Sequence, residues 1–376
     1  MGVYLNPGNE AYVMIYNTDI FVDKSLLIDK TTKVLNTANR FIYISRPNHF
    51  GKSTDANMLV AYYSKGCDSY QIFDELKVSK IQSHEDHLNK HNVIHLDIQK
   101  FLSLTHCIND MILRINRVVI KELKREYAEY CDETHLSEVL NEIHAYTHQS
   151  FIFIIDEWDC PFREYKDDKD GQKQYIRFLS DLLKDQSYVE LCYMTGVLSI
   201  KKYGIHGYLN MFDEMSMVQP LCYSKFMGFT EEEVRELCKR FDMDFNQMNE
   251  RYGGYHLENE TTVYSQCSVS SAILKRKLSN DLGETKVEEL QEYLNLDFDG
   301  LKDDIIAMIA SKKCFVDIHT FKNDMISFLK DDVLTLFIHL GYLAYNSTEK
   351  TVYIPNGEMK DMFMTAVRNS DWEWCF

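Results

Sequence analysis

The sequence has 376 residues, with 41 basic and 58 acidic side chains and a formal net charge of -17. An apolar fraction of 45% is enough for packed cores, so a chain disordered throughout is excluded, and the length suits two or three domains. The apolar runs are far shorter than the about 18 residues that cross a bilayer, so we expect no transmembrane helix. The acidic balance argues against a protein whose whole surface binds nucleic acid.

The N-terminal residues and the cysteines indicate the cellular compartment. No basic residue precedes Lys24, so we expect neither a signal peptide nor a transit peptide, and we predict a cytoplasmic protein. The cysteines occur singly, without the C-x-x-C spacing of zinc sites, which fits reduced thiols. We therefore expect neither a disulfide framework nor a structural metal.

Strand and helix patterns alternate along the first part of the chain. Runs rich in β-forming residues occupy 41–45, 93–98, 151–155 and 189–194, and a weaker fifth run occupies 215–218. Helical patterns lie between them, for example at 54–65 and 172–183. This alternation predicts an α/β domain over residues 1–222, with a parallel sheet covered by helices on both faces.

Residues 223–376 predict a second, mainly helical domain. Thr230 and Glu233 have the spacing of a capping box, which opens a helix through about Arg240. Near the end, an apolar helix at 333–340 leads into two strands, 342–345 and 352–355. Helix plus hairpin suggests a winged-helix-like module, although other α+β domains contain the same unit.

Gly51, Lys52 and Ser53 follow the first strand and precede a helix, which is the context of a phosphate-binding loop. Such a loop aims backbone N–H groups and a helix N-terminus at phosphate, with a lysine on the terminal phosphates and a hydroxyl on Mg²⁺. The usual pattern places a further glycine where this chain has Arg46. An ordinary strand–helix turn therefore stays open from these residues alone. The residues that we assign to nucleotide binding are Arg46, Pro47, Asn48, His49, Phe50, Gly51, Lys52, Ser53 and Thr54.

The strand at 151–155 ends in two adjacent carboxylates, Asp156 and Glu157. An aspartate at the end of a parallel strand can hold Mg²⁺ together with Ser53, and the next glutamate can orient and deprotonate a water molecule. The alternative is a strand that meets solvent in an acidic turn, since Asp159 follows. The pairing with the Gly-Lys-Ser turn favours the Mg²⁺ site.

Thr195 ends the fourth predicted strand, at the edge where ligands of open α/β sheets bind. It is a candidate sensor of the γ-phosphate or of the attacking water, although a threonine before Gly196 also suits an ordinary turn. Lys201, Lys202 and Arg46 are further candidate cations for the phosphates.

These residues resemble those of the predicted AAA-ATPase-like family, P-loop NTPases of the additional-strand type. Many members carry a C-terminal nuclease-like domain of the PD-(D/E)xK type. The resemblance implies ATP as the nucleotide with Mg²⁺, Walker A and Walker B motifs at the two segments above, and catalytic roles for Lys52, Glu157 and Thr195. The likeness runs nearly end to end and rests on residues 2–9, 21–24, 45–53, 153–159, 193–198, 228–234, 340–343 and 353–356.

The sequence departs from the family pattern in several places. The usual loop reads Arg-Pro-Arg-Arg-Phe-Gly-Lys-Ser, and Asn48 and His49 replace two of its arginines, which removes positive charge. The lid segments at 251–255 and 265–268 also differ. No convincing nuclease set is present, since the E-x-K triplets at Glu75 and Glu122 are typical of solvated helix faces, so we expect no nuclease domain.

His84, His87, His91 and His95 recur at spacings of three and four. Because His95 lies in a predicted strand, the four histidines do not share one continuous metal-binding helix, and we expect surface histidines.

Two functions follow from the sequence. The first is an ATPase that hydrolyses ATP with Mg²⁺ as a regulatory or switch module. The alternative is a nucleotide-binding or degenerate interaction module without turnover, a scaffold for a protein or nucleic-acid partner. Lys350 and Lys360 stand among acidic residues near the predicted wing, which favours a protein partner over DNA.

Overall fold

The computed structural model describes residues 2–200, 207–220, 223–257, 261–279, 283–295, 300–319, 321 and 329–369. Contacts divide the chain into two compact units. The first comprises Met1–Ile44, Lys52–Lys201 and Ile205–Met215, and the second comprises Ser45–Gly51, Lys202–Gly204 and Ser216–Phe376. The domain boundary after residue 222 stays a prediction.

The core of the first unit is a five-stranded sheet. Its strands are β1 (Phe41–Ser45), β2 (Asn92–Asp97), β3 (Phe151–Asp156), β4 (Val189–Gly196) and β5 (Asp213–Met215), in the order β2-β3-β4-β1-β5. The β2–β3, β3–β4 and β1–β5 pairs are parallel, which confirms the predicted parallel sheet. The fifth strand lies slightly before the predicted 215–218. Every residue of β3 is buried, because both faces of such a sheet are covered.

Helices flank this sheet, and one of them, α3 (Lys52–Tyr63), packs on β2, β3 and β4. The predicted helix at 54–65 corresponds to α3, and the one at 172–183 corresponds to α10 (Lys169–Leu183). The helices of the first unit are α1 (Glu10–Tyr16), α2 (Leu26–Thr32), α3 (Lys52–Tyr63), α4 (Tyr70–Asp74), α5 (His84–His87), α6 (Ile98–Ser103), α7 (Ile108–Leu123), α8 (Leu136–Thr147), α9 (Cys160–Glu164) and α10 (Lys169–Leu183).

The N-terminal segment is fixed to the first unit by a buried carboxylate. Glu122 accepts hydrogen bonds from the backbone N–H groups of Val3, Tyr4 and Leu5, at 2.9, 2.9 and 2.8 Å. Leu5 also forms an antiparallel bridge with Ile94. The expectation that Glu122 lies on a solvated helix face is therefore wrong, because its charge satisfies three backbone donors.

The second unit contains helices and two small antiparallel sheets. Its helices are α11 (Glu231–Phe241), α12 (Phe245–Tyr252), α13 (Gln266–Lys275), α14 (Gly283–Leu294), α15 (Leu301–Ile309), α16 (Lys330–Leu340) and α17 (Gly357–Arg368). Its strands are β6 (Phe229–Thr230), β7 (Tyr255–His256), β8 (Thr262–Tyr264), β9 (Cys314–Phe315), β10 (Ala344–Asn346) and β11 (Thr351–Tyr353). The sheet orders are β6-β8-β7 and β10-β11-β9.

Two local predictions for the second unit are confirmed. Thr230 and Glu233 form a reciprocal capping box at the start of α11. The predicted hairpin is the β10–β11 pair, which follows α16 and Gly341. The description of this part as winged-helix-like stays a prediction. The β6-β8-β7 sheet was not predicted, because strands of two or three residues are too short to show an alternating pattern.

The described residues also bear on the membrane and histidine predictions. None of their helices is both long enough and apolar enough to cross a bilayer. His84 is buried, so the expectation of a surface residue is wrong for it, and its ring packs against Tyr62 at 5.6 Å. His87 and His91 are half-buried, and His95 lies in β2 as expected.

Candidate functional site

The carboxyl ends of β3 and β4 are joined through Thr195. Its hydroxyl donates a hydrogen bond to the carboxylate of Asp156, and the backbone N–H of Glu157 approaches the same hydroxyl at 3.4 Å. The N–H of Trp158 donates to the Thr195 carbonyl at 3.0 Å. Three residues selected from the sequence thus lie together, because neighbouring parallel strands end at one edge of the sheet.

Asp156 is buried and contacts the first turn of α3. Burial raises the pKa of its carboxyl, whereas hydrogen bonds from the side chains of Ser53 and Thr195 favour the ionised form. The neighbouring charge of Glu157 raises this pKa further, and that of Lys52 lowers it. A further positive charge placed beside this buried carboxyl would stabilise its ionised form.

Ser53 and Asp156 fit the requirements of a Mg²⁺ site. A hydroxyl and a carboxylate are hard oxygen donors, and protein Mg²⁺ sites commonly use one or two such groups together with substrate phosphates. Among the described residues, no cluster of three histidine, cysteine or acidic side chains is arranged to hold a metal. A nucleotide-linked Mg²⁺ does not need such a cluster, because phosphate oxygens complete its shell.

Glu157 is held between two cations. Its Oε1 lies 3.2 Å from Nζ of Lys52, and its Oε2 lies 2.5 Å from Nη2 of Arg163. The side chains of Lys52, Glu157 and Arg163 are only 4%, 13% and 21% exposed, so solvent screens these pairs poorly. The lysine and the glutamate predicted to act in catalysis are therefore in direct contact.

Asp159 adds a buried carboxylate beside Arg163 to the charged side chains of Lys52, Glu157 and Arg163. It is fully buried, accepts hydrogen bonds from the N–H groups of Val197 and Leu198 at 3.1 and 2.8 Å, and lies 3.4 Å from Nε of Arg163. Burial raises the pKa of Asp159, and the charge of Arg163 opposes that rise. The alternative considered for this segment, a strand that meets solvent in an acidic turn, is therefore wrong for Asp159.

Arg163 was missed in the sequence. Burial by itself would lower the pKa of its guanidinium, but the carboxylates of Asp159 and Glu157 outweigh burial and raise it. The available signal was spacing: Arg163 follows Asp159 by four residues in α9, and side chains four apart lie on one face of a helix.

The backbone of Glu157 adopts a left-handed conformation, with φ of 53°. For a residue other than glycine this costs roughly 1–2 kcal/mol, and such strain concentrates at functional sites. The conformation turns the chain sharply after β3, so that Asp156 and Glu157 contact different partners.

Residues 45–51 pack within the second unit. The carbonyl of His49 accepts hydrogen bonds from the N–H of Cys267 and the hydroxyl of Ser265, both at 3.4 Å. The carbonyl of Phe50 accepts one from the N–H of Gly228 at 2.8 Å, and its ring meets that of Tyr255 edge to face at 5.4 Å. These contacts of His49 and Phe50 fix the loop in place.

Two residues of this loop have positive φ angles, His49 at 74° and Gly51 at 85°. Gly51 also approaches α13 closely, since a Cβ atom on it would lie 2.3 Å from Oε1 of Gln266. The backbone conformation therefore favours glycine here, and a side chain would also require the flexible amide of Gln266 to move.

The remaining loop positions differ in exposure. Arg46 is fully buried and its Nη1 donates to the carbonyl of Ser45 at 2.9 Å, whereas Asn48 and His49 are exposed. Pro47 is buried, and Thr54 is half-buried in the first turn of α3. Lys201 and Lys202, named as candidate cations, lie outside the described residues.

Residues 9–206 match the family described as predicted AAA-ATPase. The chain belongs to this family. The match covers the segments of this predicted AAA-ATPase that carry Lys52, Asp156, Glu157 and Thr195. No curated protein matches the chain.

Several solved structures are similar to this predicted AAA-ATPase at low identity. The Walker-type ATPase Paby2304 of Pyrococcus abyssi is 10% identical, with 91% of this chain and 94% of that chain covered and a TM-score of 0.41. The ORC2 protein of Aeropyrum pernix, solved as ADPNP–ADP complexes, is 8% identical, with 94% and 97% covered and a TM-score of 0.37. Cdc6p of Pyrobaculum aerophilum is 9% identical, with 92% and 93% covered and a TM-score of 0.33.

Proposed function

We propose that this chain binds ATP and hydrolyses it to ADP and phosphate with Mg²⁺, as a regulatory or switch module. The observation that carries the proposal is the contact set at the carboxyl edge of the sheet. There Lys52 meets Glu157, and Asp156 accepts hydrogen bonds from Ser53 and Thr195. The preference for adenine comes from the family to which the chain belongs.

Each group has a role that its chemistry supports. The backbone amides around Gly51 and Lys52 would hydrogen-bond the β-phosphate, and the Lys52 ammonium would neutralise charge on the terminal phosphates. Ser53 and Asp156 would hold Mg²⁺, which when bound would supply positive charge at the phosphate oxygens. Glu157 orients the attacking water and accepts its proton.

Thr195 has a supporting role in this proposal. Its hydroxyl donates to Asp156, so it orients the carboxylate that holds the metal. The backbone N–H of Glu157 lies 3.4 Å from the same hydroxyl. A change at Thr195 therefore reaches both acidic residues, and this is the arrangement expected of a residue that senses the nucleotide.

The Lys52–Glu157 ion pair predicts a competition. Phosphate oxygens must draw the Lys52 ammonium away from Glu157, so part of the binding free energy is spent on breaking this pair. Glu157→Gln removes the competing charge. We expect this variant to bind ATP several-fold more tightly than the wild type, to lose steady-state turnover and to keep only a slow residual single-turnover rate.

The test is a titration of the chain with ATP and Mg²⁺ in a calorimeter, with phosphate release followed in parallel. Lys52→Ala should abolish both binding and release. The matched control is Lys65→Ala, which removes an ammonium that lies 2.6 Å from the exposed carboxylate of Glu126. Equal binding by the Lys52→Ala variant, with its melting temperature preserved, would refute the assignment of the phosphate site.

Two further measurements define the reaction. EDTA should abolish phosphate release, because it would remove the cation that Ser53 and Asp156 would hold and with it the positive charge that stabilises the transferred phosphate. GTP in place of ATP tests base preference. Equal turnover of GTP would refute the adenine preference and leave the phosphate site unaffected.

The second candidate function is an interaction module that binds nucleotide without turnover, as a scaffold for a protein or nucleic-acid partner. The exposed neutral side chains of Asn48 and His49 favour it, since the family places arginines at these positions. Binding without phosphate release would select this function. If phosphate is released only by an Asn48→Arg/His49→Arg double variant, the missing positive charges are the reason that the wild type lacks turnover.

A further inference from the structure

The carboxylate of Glu157 has a different cation on each oxygen. Lys52 lies 3.2 Å from Oε1 and belongs to the proposed phosphate site, whereas Arg163 lies 2.5 Å from Oε2 and comes from α9. In the proposed reaction only one carboxylate oxygen is needed to accept a proton. The other oxygen is available to fix the orientation of the group.

Arg163 is itself anchored to the end of β4. Its Nε lies 3.4 Å from Oδ2 of Asp159, and the same oxygen accepts the N–H groups of Val197 and Leu198. Space around this anchor is tight, because a Cβ atom on Gly196 would lie 2.7 Å from Oδ1 of Asp159. A guanidinium held in this way has a fixed position, and its planar fork suits two carboxylates at once.

We infer that Arg163 is a positioning residue that holds Oε2 of Glu157, so that Oε1 faces the lysine of the phosphate site. The inference rests on the proposed function, in which Glu157 is the base. Without Arg163, the carboxylate is free to rotate and pair with Lys52 through both oxygens. It would then not hold the water in line, and hydrolysis would slow.

The rival explanation is that Arg163 only neutralises two buried acids. Such a role would lower stability when Arg163 is replaced, and it would affect hydrolysis whether or not Glu157 is present. The two explanations therefore differ in how Arg163 and Glu157 combine. Effects of residues that act through one another are not additive, whereas independent effects multiply in rate.

The experiment is a double-variant cycle on the full chain. Arg163→Gln should lower kcat about 10- to 100-fold, the usual effect of losing a partner that orients a reacting group, with KM for ATP within about threefold of the wild type. Arg163→Lys, which keeps the charge and loses the fork, should recover part of kcat. In the Glu157→Gln background, Arg163→Gln should leave the residual single-turnover rate unchanged. The control is Arg235→Gln, which breaks an exposed Arg–Glu pair in α11 and should change nothing.

Three results would overturn the inference. One is a kcat within threefold of the wild type in Arg163→Gln, and another is a rise in KM with kcat unchanged. The third is the same fold-loss in the presence and absence of Glu157, which would make Arg163 structural. If Arg163→Gln does not fold, the same cycle with Arg163→Lys decides, because it retains the buried charge. No hydrolysis by the wild type would refute the proposed function first and this inference with it, so the two failures are distinguishable.

Discussion

Replacing Gly51 by alanine tests the geometry of the proposed phosphate loop most directly. Gly51 has a φ of 85°, and a Cβ atom there would lie 2.3 Å from Oε1 of Gln266. The variant therefore meets two obstacles. One is the intrinsic cost of a left-handed backbone with a side chain, and the other is a steric conflict with the end of a flexible amide side chain.

The two costs differ in size. The backbone cost is roughly 1–2 kcal/mol. The steric cost is smaller, because Gln266 is half-buried and its amide is able to move away. If the free loop relaxes to a negative φ, phosphate binding must restore the original conformation. The dissociation constant for ATP should then rise about 5- to 30-fold, since about 1.4 kcal/mol corresponds to a factor of ten.

Calorimetric titration with ATP measures this change, and urea unfolding measures stability alongside it. Gly300→Ala is a matched control, because Gly300 has a φ of 77° and its nearest neighbour to an added Cβ is Cδ of Lys330 at 3.7 Å. It should lose stability by the backbone cost alone and bind ATP normally. Adding Gln266→Ala to Gly51→Ala should recover only the steric part. Unchanged ATP affinity in Gly51→Ala, with Gly300→Ala destabilised as expected, would refute the reasoning.

Three further predictions concern the first unit. Glu122→Gln should lower the free energy of unfolding by about 1–3 kcal/mol, because an amide cannot accept all three backbone hydrogen bonds. The control is Glu126→Gln at an exposed ion pair, which should change this free energy by less than about 0.5 kcal/mol. Urea titration measures both variants. Burial lowers the pKa of His84, so the folded protein favours the neutral ring. The contribution of His84 to the free energy of unfolding is therefore fully present above about pH 6.5, and it is lost as the pH falls from that value towards the lowered pKa. Between about pH 7 and about pH 5, the free energy of unfolding should fall less for His84→Gln than for the wild type. His106→Gln, which replaces an exposed ring, should show the same fall as the wild type. Equal falls in all three proteins would contradict this account. Thr195→Val should reduce kcat about tenfold and leave ATP affinity near the wild-type value, and phosphate release at the wild-type rate would show that its hydroxyl has no part in turnover.

The sheet and its carboxyl edge could be predicted because their signals are local in the sequence. Each of the first four strands contains a short run rich in β-forming residues, and the polar residues at the ends of β1, β3 and β4 mark one edge of a parallel sheet. The contacts of Lys52 with Glu157 and of Asp156 with Thr195 follow from that topology. Strand lengths and pairing order required the structure.

The residues that were missed act through contacts that the sequence pattern does not specify. Arg163 lies on a helix of five residues, too short for a clear periodic pattern, and its partners are set by the turn after β3. Asp159 has the composition of a solvent-exposed turn, yet backbone amides beyond β4 satisfy it in a buried position. The anchoring of His49 and Phe50 depends on residues more than 150 positions later in the chain.

The N-terminal segment has a consequence for handling the protein. In the described sheet β2 is a terminal strand, and the backbone of Tyr4 and Asn6 hydrogen-bonds to His95 and Val93 at 2.9 and 2.7 Å. Terminal strands with unpaired backbone groups recruit other chains, and this short segment caps β2 against such growth. A shortened protein that begins at residue 9, where the family match starts, would lose the cap. It should aggregate through strand addition even if its nucleotide site is intact.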